Sequence, residues 1–208
     1  KTKDILIVFK INLMEKSYSL LAANHLDLLH DLNEKSSKFN SVHVDLTDNY
    51  FCETLGISIL TLEQLAATKM YDIDVHLLLE KPLNILKRVD GLTIKSFTFH
   101  CETISSKDYN DLTFQDTKKG IALLPETNLN LLGRYLETSD FVLFLCITPS
   151  LFPNDKKVDP INRIREFKSL FPNYRGKLVI DGGLDQSQFK ELDILGVHTL
   201  VLGRKYFG

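Results

Sequence analysis

Residues 140–147 read DFVLFLCI, one carboxylate followed by seven apolar residues. A continuous apolar run of this length, without alternation, is the pattern of a strand buried on both faces of a parallel sheet. Working outward, the same element recurs between helical patterns. Downstream come a helix over Asp159–Leu170, a strand at Lys177–Ile180, a helix at Gln186–Leu195 and a strand at Thr199–Leu202. Upstream, a helix over Thr127–Glu137 follows a strand at Gly120–Leu124, and a weak helix at Ser106–Lys119 follows a strand at Gly91–Phe99. Pro82 opens a helix through Val89, a place where a proline's missing N–H costs nothing. Before it lie a strand at Asp72–Leu79 and a helix at Thr61–Met70, with Thr61 and Gln64 as its capping box. The chain opens with a strand at Ile5–Ile11, an amphipathic helix at Tyr18–Leu32, a turn at Ser36–Asn40 and a strand at Ser41–Asp45.

Eight strands separated by helical crossovers imply parallel βαβ units. Eight such units in 208 residues predict an α/β fold of the (β/α)8 TIM barrel type, one domain spanning residues 1–208. An open doubly wound sheet would want a glycine-rich turn after the first strand, and FKINLMEK has no glycine. The sequence ends at Gly208, just after the eighth strand, so the expected barrel lacks its eighth helix. Apolar strand surface left bare there would favour a homo-oligomer.

Composition narrows the function. Apolar residues make up 44%, enough for a large core, and 25 Lys+Arg stand against 27 Asp+Glu for a formal charge of −2. That balance gives no nucleic-acid footprint, while small anionic substrates need only a local donor site. Cys52, Cys101 and Cys146 form no C-x-x-C pair, and three sparse cysteines suit a reducing cytoplasmic location. The opening apolar run is too short for a signal peptide, and no stretch is long enough to predict a membrane span.

In such a barrel the chemistry sits at the C-terminal ends of the strands. His43 and Asp45 close the second strand, and positions i and i+2 share a face. His76 lies in the third strand and Asp181 follows the seventh. Two imidazoles and two carboxylates converging there suit one divalent ion such as Zn²⁺, Fe²⁺ or Mn²⁺. Taken singly, His76 reads more readily as a hydrogen-bonded core residue and Asp181 as a cap or turn former. The His43/Asp45 pair resists that reading, because a buried carboxylate costs several kcal/mol unless it is compensated.

Six segments in order resemble the ribulose-phosphate 3-epimerase family: VHVDLTDNYF, DVHLLLEKP, FTFHCET, GIALLPET, VIDGGL and LVLGRKYF. The resemblance implies one divalent metal held by His43, Asp45, His76 and Asp181. It also implies that Asp45 and Asp181 act as the acid/base pair that inverts C3 of a ketose phosphate through a cis-enediolate. The implied activity is an isomerase of the pentose phosphate pathway converting D-ribulose 5-phosphate to D-xylulose 5-phosphate, with a sugar phosphate as its substrate. Two alternatives accompany it: an epimerase for another ketose phosphate such as D-allulose 6-phosphate, and a non-catalytic barrel that binds metal or sugar phosphate.

The departures from the family concentrate on substrate contacts. A serine near the end of the first strand is expected to be replaced by Lys10. Methionines around the metal are replaced by Thr47, Leu78 and Leu145, and a turn glycine by Asn49. The glycine-rich loop after strand six is rewritten as TPSLFPNDKK, Thr148 to Lys157, keeping Pro149 and placing Asn154 in the position of a glutamine. Arg204 replaces a serine. Phosphate is therefore expected at the Gly182–Gly183 turn, the Gly203 amide and the side chain of Arg204 or of Lys10, with His76, Pro149 and Asn154 completing the substrate contacts. The competing reading leaves Arg204 solvated and the anion site lost.

Overall fold

The structure is a computed structural model that describes residues 14–150 and 157–207. Eight parallel strands close in sequence order into a barrel. They are β1 (Glu15–Ser19), β2 (Ser41–Thr47), β3 (Ile73–Leu78), β4 (Ser96–His100), β5 (Lys118–Leu123), β6 (Phe141–Leu145), β7 (Lys177–Asp181) and β8 (Thr199–Leu202). The helices around them are α1 (Leu28–Lys35), α2 (Ile59–Thr68), α3 (Leu83–Val89), α4 (Ser106–Asp111), α5 (Pro160–Leu170), α6 (Phe189–Ile194) and α7 (Arg204–Phe207). The (β/α)8 barrel expected from the strand–helix alternation is the fold.

The first strand is a correction. Ile5–Ile11 lies outside the described residues, and the strand that pairs with both β2 and β8 is Glu15–Ser19. Its sequence, EKSYS, carries little apolar signal because only Tyr18 of its outward side chains is large and buried. Pairing on both edges makes it a strand where local propensity does not. The helix expected over Tyr18–Leu32 therefore splits into the end of β1, a short 3-10 turn at Leu20–Ala22, and α1.

Smaller differences have local causes. α2 starts two residues before Thr61, because the Ser58 hydroxyl accepts from the Thr61 N–H at 3.1 Å and is the true cap. The Thr127–Glu137 segment forms two 3-10 helices, Leu129–Arg134 and Leu136–Thr138, in place of an α-helix. The weak Ser106 helix stops at Asp111. Asp159 caps α5, accepting from Asn162 N–H at 2.8 Å, with Pro160 in the first turn.

Two apolar regions result. Outward strand residues such as Val44, Val75, Phe99, Ile121, Phe144 and Ile180 pack under the helices. Inward residues Leu78, Ala122, Leu143, Leu145, Val179 and Val201 fill part of the barrel interior. The outer face of β8 is not bare: Leu200 and Leu202 are buried, and Phe207 of α7 packs on Tyr18 with ring centroids 4.3 Å apart. The exposed strand surface expected to drive self-association is thus covered.

The inward positions divide by chemistry. On β1 to β4 they are mostly polar, with Ser17, Ser19, Ser41, His43, Asp45, Asp74, His76, Ser96, Thr98 and His100 facing in beside the aliphatic Leu78; on β5 to β8 they are mostly aliphatic. Asp74 ties the lower polar part together, accepting from the hydroxyls of Ser17 at 3.2 Å and Ser96 at 2.8 Å, and also from Ser41. The upper polar part is held by backbone. Asp45 C=O accepts from Ile57 N–H at 2.8 Å, which draws the returning chain onto the end of β2. Gly56 fits there only without a side chain: a Cβ would sit 2.4 Å from the Asp45 carbonyl oxygen. Gly56→Ala is therefore expected to lower stability by about 1–3 kcal/mol through forced displacement of the strand end. Chemical denaturation measures it, and a wild-type midpoint would show that this approach is not tight.

Candidate active site

Strand register brings the cluster together. Asp45 of β2 sits directly beside His76 of β3, and Ser19 of β1 beside His43. His43 and Asp45 both point inward, as the i, i+2 spacing requires. Asp181 arrives from β7. His43 Nε2 lies 3.3 Å from Asp45 Oδ1 and 3.4 Å from Asp181 Oδ2. His76 Nδ1 lies 3.1 Å from Asp45 Oδ1 and 3.5 Å from Asp181 Oδ2. One ligand atom from each of the four residues falls within 4.8 Å of the other three.

Electrostatics follow from burial. Burial alone would lower the His43 imidazole, but the Asp45 and Asp181 carboxylates hold it well above its ordinary range. Burial alone would raise the Asp45 carboxyl, yet His43 and His76 pull it far below the usual carboxylate value. Asp181 is drawn down by the same two rings against its own burial. Two carboxylates and two imidazoles are thus held together in a water-poor barrel mouth, and with the rings deprotonated the four could hold a divalent cation of borderline hardness.

A second tier lies behind His76. His76 Nε2 is 2.9 Å from His100 Nε2, and His100 Nδ1 is 3.1 Å from Glu102 Oε2. Glu102 Oε1 accepts from Leu124 N–H at 2.8 Å and from the Thr127 hydroxyl. Burial lowers the His100 ring, which favours its neutral form. Burial would raise Glu102, but His100, Thr127 and the Leu124 amide hold its carboxyl at about 2. The sequence reading gave His100 and Glu102 no role. The available signal was strand parity, since His100 is the next inward position after Thr98.

A cleft of about 760 Å³ opens beside Asp181. Ser19, Gly182, Gly183, Gly203 and Arg204 line it, with Lys157 and Lys205 at its wall. Gly182 and Gly183 have φ of +76° and +69°, and a Cβ on Gly182 would meet Ile147 Cγ2 at 2.3 Å. This turn therefore requires glycine. Lys205 pairs with Asp185, while Arg204 is exposed to the cleft.

Of the expected substrate contacts, Gly182, Gly183, Gly203 and Arg204 come together. Pro149 is half-buried after β6 and is not among the described residues lining this cleft. Lys10 and Asn154 lie outside the described residues. The position assigned to Lys10, the end of the first strand, belongs to Ser19, whose hydroxyl donates to Asp45 Oδ2 at 3.5 Å. The expected loss of that serine came from the misplaced strand. Thr47 turns its hydroxyl to Thr54 C=O at 3.0 Å, and Leu78 and Leu145 form an apolar wall with Phe51 and Cys52. Asn49 adopts φ of +60°, the left-handed conformation expected where the family has glycine.

Fold and site define a (β/α)8 barrel with a two-histidine, two-aspartate centre at the C-terminal mouth. A model of the ribulose-phosphate 3 epimerase family matches residues 16–207, and the chain belongs to that family. It is 28% identical over 200 residues to the ribulose-phosphate 3-epimerase of Buchnera aphidicola subsp. Baizongia pistaciae, covering 92% of this chain and 87% of that one. Against the ribulose-phosphate 3-epimerase of Helicobacter pylori strain J99 it is 26% identical, covering 93% and 91%. Among solved structures, a mutant tryptophan synthase alpha-subunit from Pyrococcus furiosus aligns with a TM-score of 0.65 at 12% identity, covering 93% of this chain and 90% of that one. This last likeness shows the barrel fold alone. No helix of the described residues is long and apolar enough to cross a membrane.

Chelator-treated protein titrated with Zn²⁺ or Mn²⁺ is expected to take up one ion per chain, with a gain of about 2.7 kcal/mol in stability at a hundred times Kd. His76→Ala should abolish that gain. A melting temperature that neither ion moves would show that the four residues do not form a metal site.

Proposed function

We propose that the chain is a metal-dependent epimerase that inverts C3 of a ketose phosphate, with D-ribulose 5-phosphate and D-xylulose 5-phosphate as the substrate pair. The observation that carries this reading is that Asp45 and Asp181 arrive from separate strands, β2 and β7, and both reach one imidazole nitrogen, at 3.3 and 3.4 Å from His43 Nε2. Inversion at a carbon beside a carbonyl requires a base on one face and an acid on the other. Membership of the family and relatives named as ribulose-phosphate 3-epimerases support the substrate pair.

One aspartate takes the C3 proton, and the electron pair moves into a cis-enediolate across C2 and C3. The other aspartate must be protonated before the step, against the pull of the two rings on both carboxyls, and returns a proton to the opposite face of C3. Each turnover exchanges the protonation states of Asp45 and Asp181, so the protein is reset for the reverse direction or by exchange with solvent. The ion held by His43, Asp45, His76 and Asp181 would supply electrostatic stabilisation of the charge that develops on the C2 and C3 oxygens. Ser19 orients Asp45 through its hydroxyl. The aliphatic side of the barrel mouth, Leu78, Leu145 and Val201, keeps water from the planar intermediate.

A phosphate would fit the cleft past Asp181, which the Gly182–Gly183 turn, Gly203 and Arg204 line. Arg suits a phosphate through its planar fork of donors. Positive φ at two successive glycines turns the backbone sharply enough to bring its amides toward an anion.

Metal-loaded protein incubated with ribulose 5-phosphate in deuterated water should form xylulose 5-phosphate with deuterium at C3, followed by NMR. Exchange only with other ketose phosphates would move the assignment to one of those, and no exchange with any would refute epimerase activity. Asp181→Asn should cost about 10²–10⁴-fold in kcat with the fold retained. Arg204→Ala should raise KM about tenfold with kcat little changed, since a guanidinium–phosphate contact in an exposed cleft is worth about 1.4 kcal/mol.

A further inference from the structure

His76 has two ring nitrogens and only one faces the cluster. Nδ1 lies among Asp45, Asp181 and His43, and Nε2 faces away, toward His100. For Nδ1 to offer a lone pair, the ring proton must sit on Nε2, whereas the Asp45 and Asp181 carboxylates beside Nδ1 by themselves favour a proton there. We propose that His100 and Glu102 are positioning residues that fix the tautomer of His76 and thereby set the site's affinity for its divalent ion; this rests on reading His76 as a ligand.

The geometry allows only one order of donors. The Glu102 carboxylate is ionised and already accepts from the Leu124 amide and the Thr127 hydroxyl, so toward His100 it can only accept. His100 Nδ1 must then carry the proton, which leaves Nε2 with its lone pair. That lone pair faces His76 Nε2 at 2.9 Å, so His76 Nε2 must be the donor. The reverse order would point the His100 Nδ1 lone pair at a carboxylate and put a proton on the nitrogen that faces the cluster.

The His76–His100 contact has the shape of a hydrogen bond along the rings. Their planes differ by 16° and the centroids are 5.0 Å apart. That separation is close to the N···N distance plus a ring radius at each end, an edge-to-edge arrangement in one plane and not two stacked faces. Both rings are fully buried, and Phe51 packs against His100 with centroids 4.9 Å apart, so water cannot replace the donor. The Glu102 backbone faces solvent while its carboxylate tucks inward, with the side chain 18% exposed. Arg163 of α5 donates to Thr127 C=O, anchoring the far end of the chain of contacts.

Outer partners of ligating histidines typically govern metal affinity by about 10–100-fold. The test measures Zn²⁺ affinity by chelator competition on full-length wild type, Glu102→Ala and Glu102→Gln, with ¹⁵N NMR of the imidazoles in the zinc-loaded proteins. In wild type, His76 should carry its proton on Nε2 and His100 on Nδ1. Glu102→Ala should bind Zn²⁺ about 10–100-fold more weakly and show His100 protonated at Nε2 in part of the population. Glu102→Gln, whose amide oxygen can still accept from His100, should lose less and keep the wild-type proton placement. Should Glu102→Ala fail to fold, Glu102→Gln and the wild-type proton placement decide. Equal affinities in foldable variants, or a wild-type His100 protonated at Nε2, would overturn the proposal while leaving the metal site standing. A wild-type protein that binds no zinc would overturn the reading on which it rests.

Discussion

The Asp45 carboxylate lies between two imidazoles near the mouth of a closed barrel, and most of the molecule's organisation serves that placement. A buried anion costs several kcal/mol unless charge or hydrogen bonds compensate it. Here compensation comes from His43 at 3.3 Å, His76 at 3.1 Å and the Ser19 hydroxyl. Each partner depends on strand register: a slip of one residue between β2 and β3 would turn His76 outward and leave Asp45 against an aliphatic side chain. The Ile57 amide, bonded to the Asp45 carbonyl, and the bare α-carbon of Gly56 hold the end of β2 where that register places it.

The barrel interior is correspondingly two-sided. Its polar half, on β1 to β4, carries a floor of serines around Asp74 and a roof of imidazoles. Its aliphatic half, on β5 to β8, carries a single ionisable group at the mouth, Asp181. That asymmetry puts the two candidate proton carriers in different surroundings. Asp45 is embedded among donors, whereas Asp181 stands at the boundary between the cluster and the cleft that opens past Gly182. Low dielectric on the aliphatic side strengthens every charge interaction across the gap.

Strands β2 to β8 were legible because their outward residues are large and apolar, and Thr199–Leu202 was read to the residue. The first strand was not. ILIVFKI has the stronger β pattern, while EKSYS shows one outward aromatic between small and charged residues. Its strand character comes from pairing with β2 and β8, which no local window contains. The error carried into the site, where a lysine was assigned to a position that Ser19 holds. The four clustered residues were legible from parity and order along the chain, because i, i+2 spacing and strand ends fix direction in a parallel barrel. His100 and Glu102 were quoted but given no role, since a histidine one layer behind another becomes visible only when the register of β3 and β4 is known.

The central claim is that two imidazoles and two carboxylates from β2, β3 and β7 jointly hold one divalent ion at the barrel mouth. X-ray absorption at the zinc edge of the loaded protein tests it most directly. The account predicts a first shell of nitrogen and oxygen with the multiple-scattering signature of two imidazoles and no sulfur. A shell containing sulfur, or one of oxygen alone, would contradict it.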